Sequence, residues 1–553
     1  MQKNLHTLLR KYPEVPIPLQ KLHPLTVHVL EHSLHSTLDD LLQLSLPTDL
    51  EAFEKAILAL RVYSQFWLST QYKNTAYPED LASLLPDAWN WIVFLTLMYQ
   101  PMTSTFLNLF PKGTSSEAHT ERLTIMRVVL SSVSIIVQSA LLHPASAECL
   151  FASKFFLHVL LHCMISPDST PTVTNRFVDI TADVLAADNG DPTGDVHPVF
   201  AEFDRRRSGA LSDALLQQTG ALCRGVFLPF GMTDALSRVA QYRVLFMALL
   251  ADKDAKDRMR GTQQRLARLI TSITGALAML DDPIPILPRT FACFWIWILG
   301  ELYPAEGTST RDVVVGIESG LIPMLARVAD EVDNLEGRAV DTCARIACEV
   351  LGPALTWPVV IRTLRKDAKH ALDLRNVARV CDKWALFADL CLAFGHANEV
   401  KKCWDAEVVV LRESCANPES VAPPQDVLLR SRILLLPDLP ESPLARRAQS
   451  RFVSNTKTLS YEMRCFIRRL TLSTIAQHAP KDIAGMSTYL VDFSRSATPI
   501  HYAGNTAWPI PCSSLKPGHV HTFATFRRDT DVVLLEVDCK PESDFMALAN
   551  GKN

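Results

Sequence analysis

Histidine and cysteine are the residues of this chain whose spacing could hold a metal or move a proton. His158-Val-Leu-Leu-His162 puts two imidazoles at i and i+4, one above the other on a helix. A helical zinc site of that spacing uses a Glu directly after the first His as general base, and Val159 stands there instead. Apolar neighbours surround both rings, so the pair reads as core histidines. His519-Val-His521 would share one strand face, and a catalytic reading would need them to converge with Asp538. Cys381, Cys391, His396, Cys403 and Cys415 form the densest Cys/His cluster, at intervals of ten, five, seven and twelve residues. Zinc knuckles need sulfurs brought together across a tight turn. These thiols would instead lie at different heights along two helices. Cys415-Ala-Asn-Pro-Glu-Ser420 begins like a knuckle, but Glu419 and Ser420 stand where a second sulfur belongs, and the chain contains no Cys-x-x-Cys pair.

Nucleophilic chemistry has no anchor in the sequence. Gly316-Ile-Glu-Ser-Gly320 superficially resembles a nucleophile elbow, but its Ser is displaced by one position and no strand precedes it. Phosphate-cradling glycine loops do not occur. Asp188-Asn-Gly-Asp-Pro-Thr-Gly-Asp195 lacks the alternating ligands and terminal Glu of a calcium loop and reads as a solvated turn. Arg205-Arg206-Arg207 is too short for a nucleic-acid patch and is expected to flank a helix. A formal charge of −4 on 553 residues also argues against general nucleic-acid binding. The basic excess around Arg430, Arg446, Arg451, Arg464 and Arg469 reads as a solvated helix face, with an acidic partner as the alternative.

Compartment follows from the remaining thiols. Thirteen scattered cysteines, an odd number, do not make a secreted disulfide framework. Met1-Gln-Lys-Asn-Leu-His-Thr has no apolar signal core. The uncharged run Val128 to Ala147 is broken by serines, Gln138 and Pro144, and Pro288 to Gly300 falls short of the about 20 residues a membrane span needs. Buried helices in an intracellular protein of cytoplasm or nucleus are the expectation, without a transmembrane segment.

Helices must position all of these groups. From about residue 18 to 414 the pattern is helix after helix. Leu266, Leu269, Ile270, Ile273, Leu277 and Leu280 trace one face. Thr48-Asp-Leu-Glu51 has the form of a capping box. Breaks are expected at Pro101, Pro144, Pro167, Pro229, Pro304 and Pro353. The segments between them have the size of helices in stacked pairs, so the fold class is mainly α: a degenerate armadillo/HEAT-like helical solenoid. Residues 1–414 form the repeat region and 415–455 a Pro-rich junction. Residues 456–553 form a small C-terminal α+β unit, with a helix over Lys457 to Gln477 and strands over Thr488–Phe493, His519–Phe526 and Asp531–Val537. The last two strands are joined as a hairpin through Arg527-Arg-Asp-Thr530.

Four phrases together resemble the MYND-type zinc-finger proteins of mushroom-forming fungi. Leu85-Pro-Asp-Ala-Trp89-Asn-Trp91-Ile-Val-Phe-Leu is similar to that family's early Trp-containing helix. Val315-Gly-Ile-Glu-Ser-Gly-Leu-Ile-Pro-Met-Leu325 resembles its helix-pair phrase, and Glu349 to Arg362 its entry to the last helices before the finger. Val408-Val-Val-Leu-Arg-Glu-Ser-Cys415-Ala-Asn-Pro-Glu419 resembles the approach to the first zinc ligand. The resemblance implies a finger with the pattern C-x2-C, C-x2-C, C-x3-C and H-x3-C. Of these ligands only Cys415 carries over, as a vestigial position, so neither a metal nor another cofactor is expected. The rest of the finger is missing from 415–455, through a deletion or mis-spliced gene, or in a natural finger-less relative. The expected function is a non-catalytic scaffold for protein partners, with no specific nucleic-acid or membrane signal. Trp89, Trp91, Trp295 and Trp297 are assigned to the core. The alternatives are a zinc-binding regulatory protein whose finger is truncated and an enzyme of unknown type.

Overall fold

The computed structural model describes residues 34–42, 50–73, 82–98, 115–188, 196–225, 232–280, 286–305, 307–367, 384–415, 461–478, 488–494, 500–504, 520–528 and 531–539. The protein is mainly helical. It divides into two compact units, Met1–Thr219 with Thr233–Ala255, and Gly220–Met232 with Lys256–Asn553. Pro101, Pro229, the Thr48 cap and most of the acidic loop after Asp188 lie outside the described residues.

The first unit is built from α1 (Leu38–Leu42), α2 (Leu50–Lys73), α3 (Leu85–Val93), α4 (Ser115–Leu141), α5 (Pro144–Phe151), α6 (Phe156–Ile165), α7 (Pro171–Asp188), α8 (Val196–Arg206), α9 (Ala210–Gly225) as far as Thr219, and α10 (Met232–Leu250) from Thr233. Helix α2 packs on α4, α4 on α7, and α7 on α6. A π-helical turn, Phe94–Met98, continues α3 and supports α6. Aromatic rings fill the seams. Phe53 lies 6.1 Å from Trp91 and 5.5 Å from Phe94, and Trp89 lies 5.9 Å from Phe156 while its Nε1–H donates to Ser153 Oγ.

Within α4, Leu123–Leu141 is long and apolar enough to cross a membrane, and 67% of that stretch is buried inside the protein. Three of its four serines, Ser132, Ser134 and Ser139, are buried, and Ser134 folds its hydroxyl onto the carbonyl of the half-buried Ser131. The chain then breaks at Leu142–His143, and Pro144 starts α5, where its missing N–H has no helical partner to lose. Polar side chains staple the later helices. Arg238 of α10 donates to Asp179 and to the Asn175 carbonyl of α7. Tyr242 donates to Gln218 of α9, which in turn donates to the Met164 carbonyl of α6.

The second unit takes in the end of α11 (Lys253–Arg260), then α12 (Gln263–Leu277), α13 (Ile286–Leu302), α14 (Thr310–Glu318), α15 (Leu321–Asp330), α16 (Gly337–Arg345), α17 (Gly352–Ala354), α18 (Pro358–Asp367), α19 (Ala385–Cys415) and α20 (Tyr461–His478). Leu266, Leu269, Ile270, Ile273 and Leu277 of α12 are buried as their spacing predicts, with Leu280 buried just beyond the helix. Each such side chain contributes about 1.5–3 kcal/mol when fully buried. Helix α13 packs on α12 and α16. Its Trp295 is wholly buried against Phe291, and the half-buried Trp297 stacks on Phe294 at 6.2 Å. The approach to α16 is close: a Cβ on Gly300 would run into the Thr342 methyl.

Ser309-Thr-Arg-Asp312 starts α14 with a complete capping box. Ser309 Oγ accepts from the Asp312 N–H, and the Asp312 carboxylate accepts from the Ser309 N–H. Gly316 lies under Tyr303, whose hydroxyl donates to the Asp312 carbonyl. Gly320, at φ +99°, supplies the left-handed turn from which α15 starts. The break expected at Pro353 falls instead inside a continuous helical run. A π-helical turn, Ile346–Leu351, precedes α17 and shifts the carbonyl register ahead of the proline, and the chain turns only at Leu355–Trp357.

Strands β1 (Thr488–Asp492), β2 (Ile500–Gly504), β3 (Val520–Arg528) and β4 (Asp531–Cys539) form one mixed sheet in the order β2-β1-β3-β4. The expected hairpin is present, with Arg528 opposite Asp531 in the β3–β4 pair, and β2 is a strand the sequence pattern did not predict. Val491 of β1 is the parallel partner of Ala524 in β3, and both are buried. Helix α20 packs on β3 and β4.

Candidate functional site

His158 and His162 stand one turn apart on α6, held by the burial of Val159, Leu160 and Leu161 between them. Helix α8 packs against this side of α6. His158 is half-buried with its ring 6.4 Å from Phe203 of α8. His162 is 3% exposed, and its Nδ1 lies 3.3 Å from Arg207 Nη2, so the ring accepts from the guanidinium through that nitrogen. The same guanidinium lies over the Phe203 ring at 5.8 Å. The other ring nitrogen of His162, Nε2, is buried without a hydrogen-bond partner. Burial, and then the Arg207 charge, push the His162 imidazole down to about 4. Burial and the nearby Arg206 also lower His158, while the Lys154 carbonyl and Glu202 favour its charged form. The pair is thus neutral at pH 7 and built into the core, as its apolar neighbours predict.

Arg207 is held in place by a tight corner between α8 and α9. Ser208 at φ +54° and Gly209 at φ +84° carry the chain round, with the Gly209 N–H donating to the Asp204 carbonyl. Asp204, fully buried, accepts from both the N–H and the hydroxyl of Ser212. Arg205 and Arg206 both donate to Glu202, the helix-flanking role expected of the three arginines.

The Cys/His cluster is not arranged as the sequence suggested. Cys391, His396, Cys403 and Cys415 all lie on the single 31-residue helix α19, not on two helices; Cys381 lies outside the described residues. At 1.5 Å per residue, Cys391 and Cys403 are about 18 Å apart along the axis. Cys391 is buried and Cys403 exposed, so they also face different surroundings. His396 Nε2 lies 3.3 Å from Thr474 Oγ1 of α20. Cys415 is the last residue of α19, and residues 416–455 lie outside the described residues. Among the described residues no three His, Cys, Asp or Glu side chains gather as a metal site.

Gly316 to Glu318 end α14 and Ser319–Gly320 turn the chain into α15, with no strand before them, and the Ser319 hydroxyl is bonded to the Val315 and Gln263 carbonyls. In the sheet, His521 of β3 is the register partner of Asp538 of β4, two of the three residues whose convergence a catalytic reading requires; His519 lies outside the described residues. A small open depression lies between α14, the π-helical turn and Trp357, lined by Thr310, Val313, Val350 and Pro353. Its volume of 20 Å³ has room for about one water molecule, far below the about 300 Å³ of a typical small-molecule site.

Buried ionisable groups elsewhere pair along their own helix. Arg327 pairs with the buried Glu331, and buried Lys401 with Asp405. Burial pushes the Cys343 and Cys391 thiols up to about 12, which keeps them protonated and inert. These features define a mainly helical protein with a small mixed sheet, in which the described polar clusters tie helices together. No family model matches the chain, and no curated protein or solved structure matches it either.

Proposed function

We propose that the protein is a non-catalytic interaction scaffold, a degenerate armadillo/HEAT-like stack of helices that binds protein partners in the cytoplasm or nucleus. The observation that supports this reading is the placement of its reactive groups. His162 faces Arg207, Asp204 faces Ser212, Asp179 faces Arg238, and Ser319 faces main-chain carbonyls. Each contact joins one helix to another or closes a turn. Large apolar side chains remain at the surface of both units, among them Leu142, Phe151, Val359 and Leu392. Stacked helices commonly recognise proteins through such surfaces.

Kinship with MYND-type proteins belongs to the same proposal. Its support is the sequence phrases themselves; the one around Gly316–Leu325 spans the end of α14 and the start of α15, and Trp89 and Trp91 are buried on α3. Cys415 is then the remnant of a zinc-ligand position at the end of α19.

The test is recovery of the full chain from its native cells beside a folded variant carrying Leu142→Glu, Phe151→Glu, Val359→Glu and Leu392→Glu. A scaffold retains partners near stoichiometry, loses them in the variant, and rebinds them as purified components. A variant that keeps every partner, or a wild-type chain that retains none, counts against the proposal. Metal analysis adds a separate arm: stoichiometric zinc lost in Cys415→Ser would favour the zinc-binding alternative.

A further inference from the structure

We propose that the contact between α6 and α8 is an acid-sensitive latch, in which uptake of one solvent proton by His162 expels Arg207 and releases the α8–α9 corner. This inference stands apart from the scaffold reading, because it rests on a geometry that joins three elements of the first unit. His162 is buried, offers Nδ1 as an acceptor to Arg207, and has no hydrogen-bond partner on Nε2. In the neutral ring Nδ1 has a lone pair, which the guanidinium uses. A protonated ring has a donor on each nitrogen, so Nδ1 would present N–H to N–H and place two cations 3.3 Å apart in a part-buried seam. The two charges then oppose each other, and the exposed Arg207, rather than the buried His162, is the one drawn out toward solvent.

Helix α9, which reaches α6 through Gln218, carries the ionisable residues Asp213 and Arg224. The π-helical turn Phe94–Met98 carries no ionisable residue, and on α7 the carboxylate of Asp179 is engaged by Arg238. Arg176 and Asp183 are the remaining ionisable residues of α7 nearest this level, and neither contributes to the shift at His162, which comes from burial and Arg207 alone. From α8, Glu202 and Arg206 bear on His158. Asp204 is committed to Ser212, and its loss from that cap would follow release of the corner.

The sign is fixed. His162 in the folded unit titrates near 4 against an ordinary 6.5, so the open form binds the extra proton between those values. The latch is secure above pH 6.5 and weakens as pH falls toward 4. Hydrogen exchange on the full chain, corrected for intrinsic rates, reads this directly. Protection of Val196–Ser212 should fall about tenfold per pH unit between 6.5 and 4.5. His162→Gln, whose amide oxygen still accepts from Arg207 but does not titrate, should flatten that slope. Arg207→Met, which keeps packing on Phe203, should raise the His162 titration midpoint measured by NMR. A wild-type slope indifferent to pH, or an equal slope in His162→Gln, overturns the latch. Should His162→Gln fail to fold, an unmoved midpoint in Arg207→Met overturns it as well.

Discussion

Trp357 meets Phe526 edge to face, with ring centroids 6.0 Å apart and planes inclined by 73°. Trp357 lies in the turn between α17 and α18, and Phe526 is fully buried in β3, so this pair pins the sheet to the helices of its own unit. Phe526→Ala should cost about 3–5 kcal/mol of that unit's stability. In a double-mutant cycle with Trp357→Ala, the coupling should be about 0.5–1.5 kcal/mol. Strictly additive losses in urea unfolding would show that the two rings do not depend on each other.

Gly316→Ala brings a methyl group against the Tyr303 hydroxyl, and that hydroxyl is held by the Asp312 carbonyl and cannot swing away. The expected loss is about 1–3 kcal/mol. Tyr303→Phe on the same background should recover part of it by removing the oxygen. Gly275→Ala, which faces open space in α12, is the control and should be neutral or stabilising. Equal thermal shifts for the two alanine variants would refute the close approach.

The cap of α14 can be weighed in the same assay. Ser309→Ala removes the acceptor for the Asp312 N–H and should cost about 1 kcal/mol. Ser309→Gly should cost only a few tenths. If Ser309→Ala is as stable as the wild type, the hydroxyl is not what holds the cap.

Thiol reactivity should follow burial. Cys403 is exposed on α19, whereas burial pushes the Cys391 thiol, on the same helix, up to about 12. At pH 8 such a thiol is about one part in 10⁴ thiolate. N-ethylmaleimide on the native protein should therefore modify Cys403 at least about 100-fold faster than Cys391, read by peptide mass spectrometry. Comparable rates would mean that α19 is not packed as described.

Some of this architecture was legible in the sequence and some was not, for identifiable reasons. The α12 stripe was legible because its apolar residues recur at helical spacing, which only burial on one side explains. The β3–β4 hairpin was legible from alternation and a polar connection. Strand β2 escaped notice because Ile500-His-Tyr-Ala-Gly504 is short, ends in Gly and follows Pro499. Helix α19 looked like two helices because Gly395 and Asn398, poor helix formers, sit in its middle. Packing on α20 and the Arg365 contact to Asn398 outweigh that weakness. The Ser309 cap was overlooked since Asp312 stands where Glu is usual. Contacts such as His162 with Arg207 join residues far apart in the chain, and local pattern carries no trace of them.

The chain passes from the first unit to the second at Gly220, returns at Thr233, and leaves again at Lys256. For genetic dissection this connectivity is decisive. A cut after Ala255 strands Gly220–Met232 with the wrong half, and a cut after Thr219 deprives the first unit of Arg238 and Tyr242, its clasp on α7 and α9. No single scission yields both units whole. Separate expression of the halves should therefore give at least one product that is insoluble or unstable, and only circular permutation or co-expression of overlapping pieces restores every segment to its own unit.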